Sequence, residues 1–394
     1  MSELLKTENS CQSSPGAALP LGLYVHLPWC VRKCPYCDFN SHELRGAFRE
    51  RDYIDALLAD LDGALPQLDG RNFDTVFIGG GTPSLFAATS IERLLERLRA
   101  LDRLAPAAEV TLEANPGAAD EANFRGYREA GVNRLSLGVQ SFDDGCLKAL
   151  GRIHGADEAR RAAELAASCF ENFNLDLMYG LPGQSPEGAV ADARQAVATG
   201  APHLSCYQLT LEPNTVFAKY QPALPGEGEQ AAIEAGVLET LAGAGYRHYE
   251  VSAHAREGRQ CRHNRHYWEF GDYLGIGAGA HSKLSREDRV WREARVRVPD
   301  SYQRRVKAGE HVASRRDVPS GQRVGEFMMN ALRLRRGFAL ELVSARTGCA
   351  GAVYRDTLES LAERGLLTLT DDTVVPTALG SRFLNRVVAE FLSD

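Results

Sequence analysis

Leu21-Gly-Leu-Tyr-Val-His-Leu27, followed at once by Pro28-Trp29-Cys30-Val-Arg-Lys-Cys34-Pro-Tyr-Cys37, is the stretch that decides the fold. The apolar run reads as a buried strand, and the three thiols stand in the loop that leaves it. Beyond the loop, residues 53–65 carry Ile54, Leu57, Leu58 and Leu61 at helical spacing. The alternation then repeats: strand 75–78 and helix 91–104, strand 109–113 and helix 119–130, strand 135–139 and helix 157–168. Strand 174–178 with helix 186–198, and strand 203–211 with helix 229–242, complete six units.

Six strand-then-helix units predict a parallel sheet with right-handed crossovers. A closed barrel of eight units takes about 250 residues. Six units within residues 21–242 therefore predict an α/β fold built on a partial (β/α)6 TIM-type barrel. After Tyr246 the rhythm gives way to an aromatic, His-rich and Gly-rich stretch ending at His281. Residues 282–320 are Arg-rich and poor in apolar side chains, and read as a connector. From residue 321 a new helical pattern begins, and the runs 366–369 and 374–376 flank Asp371-Asp372 as a hairpin. That is a smaller, C-terminal, winged-helix-like α+β domain. The expected organisation is a flexible tail over 1–20, a barrel over 21–281, a connector over 282–320 and a C-terminal domain over 321–394.

With 44% hydrophobic and 25% charged residues and a net charge of −7, the 394-residue chain has a globular composition and no basic excess for nucleic acid. Residues 320–394 hold nine Arg, no Lys and nine acidic residues, so the winged-helix pattern does not imply a DNA partner. No run approaches the ~20 apolar residues of a membrane span, and the N-terminus lacks the apolar core of a signal peptide. The expectation is a cytoplasmic protein with no integral membrane segment and nine reduced cysteines. Six of these, Cys11, Cys146, Cys169, Cys206, Cys261 and Cys349, are scattered.

The other three form CxxxCxxC. Four thiolates would suit a structural zinc, whereas three leave one iron of a cubane cluster open to a substrate. A loop leaving a strand of a parallel βα fold lies on its catalytic face. In spacing and position, Cys30, Cys34 and Cys37 resemble the signature of radical S-adenosylmethionine (SAM) proteins. The resemblance implies a [4Fe-4S] cluster on those cysteines and SAM chelated to the open iron. Reductive cleavage would then give methionine and a 5′-deoxyadenosyl radical.

Gly79-Gly80-Gly81-Thr82-Pro83 follows the second strand, where glycines let backbone amides approach a ligand. Glu113, Gln140 and Asp176 stand at or near the same ends of the next three strands, and a carboxylate in an apolar strand needs a partner. These segments resemble the oxygen-independent coproporphyrinogen oxidase branch of the superfamily. By that resemblance Tyr24, Gly80, Gly81, Thr82, Glu113, Gln140, Arg152 and Asp176 contact SAM, Tyr36 lies against the adenine, and His281 is near SAM.

His263-Asn-Arg-His-Tyr267-Trp268 is similar to the HNxxYW motif of the HemW-like heme chaperones, and Glu326-Phe-Met-Met-Asn-Ala-Leu-Arg-Leu334 resembles the start of their C-terminal domain. The oxidases carry a fourth cysteine, CxxxCxxCxC, where Phe39 stands here, and a longer segment before the first strand. The resemblance thus implies a chaperone that binds heme, with His263 as candidate ligand, and passes it to heme-accepting proteins. It also implies an electron donor for the cluster. The alternatives are coproporphyrinogen III decarboxylation and SAM-dependent methylation or cyclopropanation.

Overall fold

The computed structural model describes residues 19–46, 48–286 and 289–392. The tail expected over 1–20 therefore falls, apart from Leu19 and Pro20, outside the described residues. Six strands run parallel and in chain order: β1 (Leu21–Leu27), β2 (Phe73–Gly80), β3 (Leu104–Ala114), β4 (Arg134–Gln140), β5 (Phe173–Tyr179) and β6 (His203–Gln208). Each is followed by a helix: α1 (Glu50–Ala64), α2 (Ala88–Ala100), α3 (Glu121–Ala130), α4 (Ala156–Cys169), α5 (Pro186–Ala198) and α6 (Glu227–Gly243). These are the six expected units. A seventh parallel strand, β7 (Asp272–Ile276), pairs along the other edge of β1 from Leu21↔Asp272 to Val25↔Ile276. No ladder joins the two edges among the described residues, so the sheet is open, as a partial barrel is.

The strands divide their side chains by face. Leu21, Leu23, Val25 and Leu27 are fully buried and belong to the main core with Ile54, Leu57 and Leu61 of α1. Each such side chain contributes roughly 1.5–3 kcal/mol by leaving water. The alternate residues Gly22, Tyr24 and His26 point the other way, into the interior that holds the site. Helix ends follow local chemistry. The Asp120 side chain accepts from the amides of Ala122 and Asn123 at the start of α3, and Gly131 ends it in a left-handed conformation at φ 110°. The helix expected over 91–104 stops at Ala100: Asp102 turns at φ 51°, and Leu104 opens β3 although it continues the helical spacing of Leu94, Leu98 and Leu101.

The stretch 282–320 is not a connector. It forms β8 (His281–Arg286), β9 (Arg289–Arg295), α8 (Pro299–Lys307) and β10 (Val312–Asp317), and the three strands extend the sheet antiparallel from β7. Its low apolar content misleads because its buried charges are paired. Asp60 of α1 accepts from Arg295 Nε at 3.0 Å, Tyr302 Oη at 2.8 Å and the His311 ring at 2.9 Å. Buried Lys283 donates to Asp272 at 3.1 Å, and Arg71 reaches the same carboxylate at 2.8 Å.

The C-terminal part is α+β as expected, with α9 (Ser320–Ala331), α10 (Leu340–Thr347) and α11 (Arg355–Glu363). Its sheet of β11 (Phe338–Ala339), β12 (Leu367–Leu369) and β13 (Thr373–Pro376) is ordered β11-β13-β12. It has its own core around Phe327, Met328, Leu358 and Val374, into which Phe270 inserts. Seven cysteines are free thiols; Cys349 is buried in the C-terminal core, and Cys11 lies outside the described residues.

Candidate cofactor site

The cysteine loop is held over the end of β1 by backbone bonds. Residues Trp29–Cys30 pair in parallel with His42–Glu43, and the amides of His42 and Leu44 donate to the carbonyls of Pro28 and Cys30 at 2.7 and 2.9 Å. Inside the loop, Cys37 N donates to Cys34 O at 3.1 Å, closing a tight turn. All three thiols are half-buried. Burial pushes the Cys30 and Cys37 thiols up, and the neighbouring sulfurs add to it. Hydrogen bonds from Thr82 to Cys30 and from Ser41 to Cys37 pull the other way. Arg152 Nη1 approaches Cys34 Sγ at 3.8 Å.

Among the described residues, no three or more His, Cys, Asp or Glu side chains meet at a single ion. Three cysteines on three different irons need not meet at one point. Soft thiol donors with hydrogen-bond donors aimed at their sulfurs fit an iron–sulfur cluster.

The glycine turn fits under this loop. Gly81 N donates to Leu27 O at 2.8 Å, Thr82 N donates to Trp29 O at 2.7 Å, and a Cβ on Gly81 would stand 2.5 Å from Trp29 O. Gly80 sits at φ 123° and donates its amide to Glu113 Oε2 at 3.0 Å. Burial and the charge of Asp176 raise Glu113 to about 7. Burial also raises Asp176, although Asn174 at 2.8 Å and Ser136 at 3.3 Å donate to it and Arg134 lies near. Tyr24 Oη bonds His26 Nδ1 at 2.9 Å and lies beside Glu113. The interior thus holds two carboxylates that oppose each other's ionisation, an arrangement a cationic ligand relieves.

Arg152 ties this interior to the loop. Its Nη2 donates to Asn115 Oδ1 at 2.6 Å and Gly138 O at 2.7 Å, and the Tyr36 phenol lies beside it. Asn115 in turn donates to Thr82 Oγ1 at 2.9 Å. Gln140 stands at φ 69°, a strained conformation for a non-glycine residue, with its Oε1 accepting from Tyr207 Oη at 2.9 Å. Asn115 and Tyr207 were missed from the sequence, although Asn115-Pro116 directly after the strand-end Glu113 was a usable signal. The structure therefore brings together Cys30, Cys34, Cys37, Tyr36, Thr82 and Arg152 at the mouth. Tyr24, Gly80, Gly81, Glu113, Gln140 and Asp176 lie with them. His281 is exposed on the rim, at the start of β8, within electrostatic reach of His26.

His263 is not at the mouth. It lies on the short helix α7 (Arg262–Trp268), packed against the opposite end of β2. Its ring bonds Thr75 Oγ1 at 2.8 Å, stacks on Phe77 at 5.1 Å and meets Tyr267 edge-on at 4.8 Å. Its amide donates to Glu109 at 3.0 Å. Burial holds it neutral, and its Nε2 has no partner. An axial ligand must present its nitrogen to a porphyrin face, and this ring is walled in by protein. The motif that resembles a heme signature builds the floor of the barrel instead.

A parallel α/β sheet with a three-thiol loop at its strand ends defines a class. Residues 24–196 match the Radical SAM superfamily and residues 319–383 the HemN C-terminal domain. The solved structure of coproporphyrinogen III oxidase HemN from Escherichia coli superposes with a TM-score of 0.81, covering 99% of this chain and 93% of that one, at 22% identity; this likeness is one of fold. Curated relatives are nearer in sequence. The heme chaperone HemW of Escherichia coli is 47% identical over 95% of this chain and 99% of its own length. That of Haemophilus influenzae is 43% identical over 95% and 98%, and that of Mycobacterium tuberculosis 36% over 96% of each. The chain belongs to the radical SAM superfamily and, within it, to the HemW family.

Proposed function

We propose that the protein is a heme chaperone that takes up heme and delivers it to heme-accepting proteins. The observation that carries this reading is the near-full-length kinship to proteins named heme chaperone HemW. Phe39, where the oxidases carry a fourth cysteine, supports it. We assign Cys30, Cys34 and Cys37 to a [4Fe-4S] cluster, reduced by an electron donor. Tyr24, Tyr36, Gly80, Gly81, Thr82, Glu113, Gln140, Arg152, Asp176 and His281 are assigned to SAM. A bound cluster with SAM supplies one-electron chemistry; the chain's residues position and shield it. Glu113 and Asp176 offer negative charge to the cationic end of SAM, Arg152 offers positive charge to its carboxylate, and Tyr36 offers a ring face to its adenine. No helix among the described residues is long and apolar enough to cross a membrane, and we place the protein in the cytoplasm.

The test is anaerobic. Cluster-loaded protein with SAM and reductant is given coproporphyrinogen III in one arm, and heme with an apo-hemoprotein in the other. Heme transfer without protoporphyrinogen is expected; robust protoporphyrinogen formation would overturn the chaperone reading.

Two further outcomes follow from the site. SAM affinity should fall as pH drops from about 8 to about 6, because Glu113, raised to about 7, then takes up a proton and stops attracting a cation. Calorimetric titration of Glu113→Gln should show weaker binding with most of that pH dependence gone. His263→Ala should cost roughly 1–3 kcal/mol of stability through the lost Thr75 bond and packing. Its heme uptake per folded chain, read from absorbance, should match the parent's.

A further inference from the structure

With His263 enclosed, the proposed cargo needs another place to bind. A cavity of about 840 Å³ opens beside the cysteine loop, between the segment around His42, helix α1 and helix α8. Its volume falls within the roughly 300–1,000 Å³ of small-molecule and cofactor sites. Trp29 and Phe48, edge to face at 5.4 Å, give it aromatic walls, and Val298 adds an exposed apolar surface. Arg49, Arg304 and Lys307 line it and form no ion pair among the described residues; Arg304 donates only to Ser301, at 3.2 Å. Four acids also line it: Glu43 pairs with Arg45 and Asp55 with Arg93, while Asp52 and Asp300 stand in the first turns of α1 and α8, where helix dipoles offset their charge. The wall also includes His42, whose Nε2 is buried without a hydrogen-bond partner, the Arg297 carbonyl lying near the ring.

A flat apolar ring system carrying two carboxylates and a metal that takes an imidazole nitrogen matches each of these features. We infer that this cavity is the heme site: the porphyrin lies against Trp29 and Phe48, its propionates meet Arg304 and Lys307, and His42 ligates the iron. The inference rests on the chaperone reading. Ligation requires the His42 ring to turn toward the cavity and to leave the Arg297 carbonyl beside it, an exchange that bonding to the iron must offset. The position also gives the site a link to the cluster loop. Trp29 pairs with His42 and Cys30 with Glu43 in one two-residue ladder, so the iron ligand and the first cysteine are carried by neighbouring backbone. Loading the cluster and loading heme thus act on the same short piece of chain.

The test is a titration of the full chain with ferric heme, followed by Soret absorbance. His42→Ala should weaken binding about tenfold or more and alter the Soret spectrum, and added imidazole should restore it. Arg304→Glu with Lys307→Glu, both on the outer helix α8, should weaken binding by about tenfold while cluster absorbance stays at the parent level. Metal-free protoporphyrin should be sensitive to the charge reversal and indifferent to His42→Ala. If the parent binds one heme and both variants bind it equally well, the site is wrong and the chaperone reading stands. If the parent binds no heme at a defined stoichiometry, both fall. Should His42→Ala fail to fold, the α8 pair decides alone: undiminished heme binding there overturns the site.

Discussion

Cys34→Ala should yield a folded chain with no visible iron–sulfur absorbance, no stoichiometric iron and no measurable SAM binding. The loop does not depend on that thiol for its shape. Its two ends are fastened by the Trp29–Cys30 and His42–Glu43 ladder and by the amides of His42 and Leu44. What Cys34 contributes is one of three sulfur donors, facing the Arg152 guanidinium at 3.8 Å. With two cysteines left, the cluster loses a ligand that no neighbour replaces, since the position two beyond Cys37 is Phe39, 61% exposed. SAM binding is expected to disappear with the cluster, because the open iron is its anchor in the proposed arrangement. Iron and sulfide analysis, circular dichroism and calorimetry on the reconstituted variant together make the check. A variant that keeps parent iron content and absorbance would remove Cys34 from the ligand set.

Much of this arrangement was legible in the sequence, for a physical reason. Parallel strands covered on both faces must be apolar, so runs such as Leu135–Val139 stand out, and the helices between them show their buried faces at i, i+3 and i+4. Polar side chains at the ends of successive parallel strands converge on one interior. The assignment of Glu113, Gln140 and Asp176 to SAM rests on the family resemblance, but their grouping could be read from position. The edge strands β8 to β10 could not. Their burial is ionic: Arg295 is satisfied by Asp60, 235 residues away, while Lys283 pairs with Asp272 and Glu293 with Arg295 and Arg315, and such a stretch looks like a solvated connector when read residue by residue. His263 failed for a related reason. Its partners Thr75 and Phe77 lie nearly two hundred residues away, and nothing nearby distinguishes a ring turned into the floor from one turned to a ligand. Pairings across the sheet are global, whereas strand identity is local.

Asp60→Ala should be the most destabilising of the substitutions considered, by about 3–5 kcal/mol. Asp60 is fully buried and accepts from Arg295, Tyr302 and His311, while the amide of Gly277 donates to it at 3.3 Å. Those donors come from β9, α8, the residue just before β10 and the turn after β7, so one carboxylate of α1 holds the antiparallel extension onto the barrel. Removing it leaves the Arg295 side chain, 1% exposed, with Glu293 at 2.7 Å as its remaining partner. That surviving pair keeps the cost toward the lower end of the range; truncating Glu293 as well would leave the guanidinium buried without either. Burial alone would raise the Asp60 carboxyl, but the His311 hydrogen bond and the Arg295 charge outweigh it and leave it below the usual carboxylate value. A carboxylate depressed by folding stabilises above its unfolded pKa, and that stability is lost as pH falls through the folded one. The difference in urea midpoint between parent and Asp60→Ala should therefore be full near neutrality and shrink in acid, below about pH 4. A gap that stayed constant into that range would show that the ionised carboxylate is not what joins the extension to the barrel.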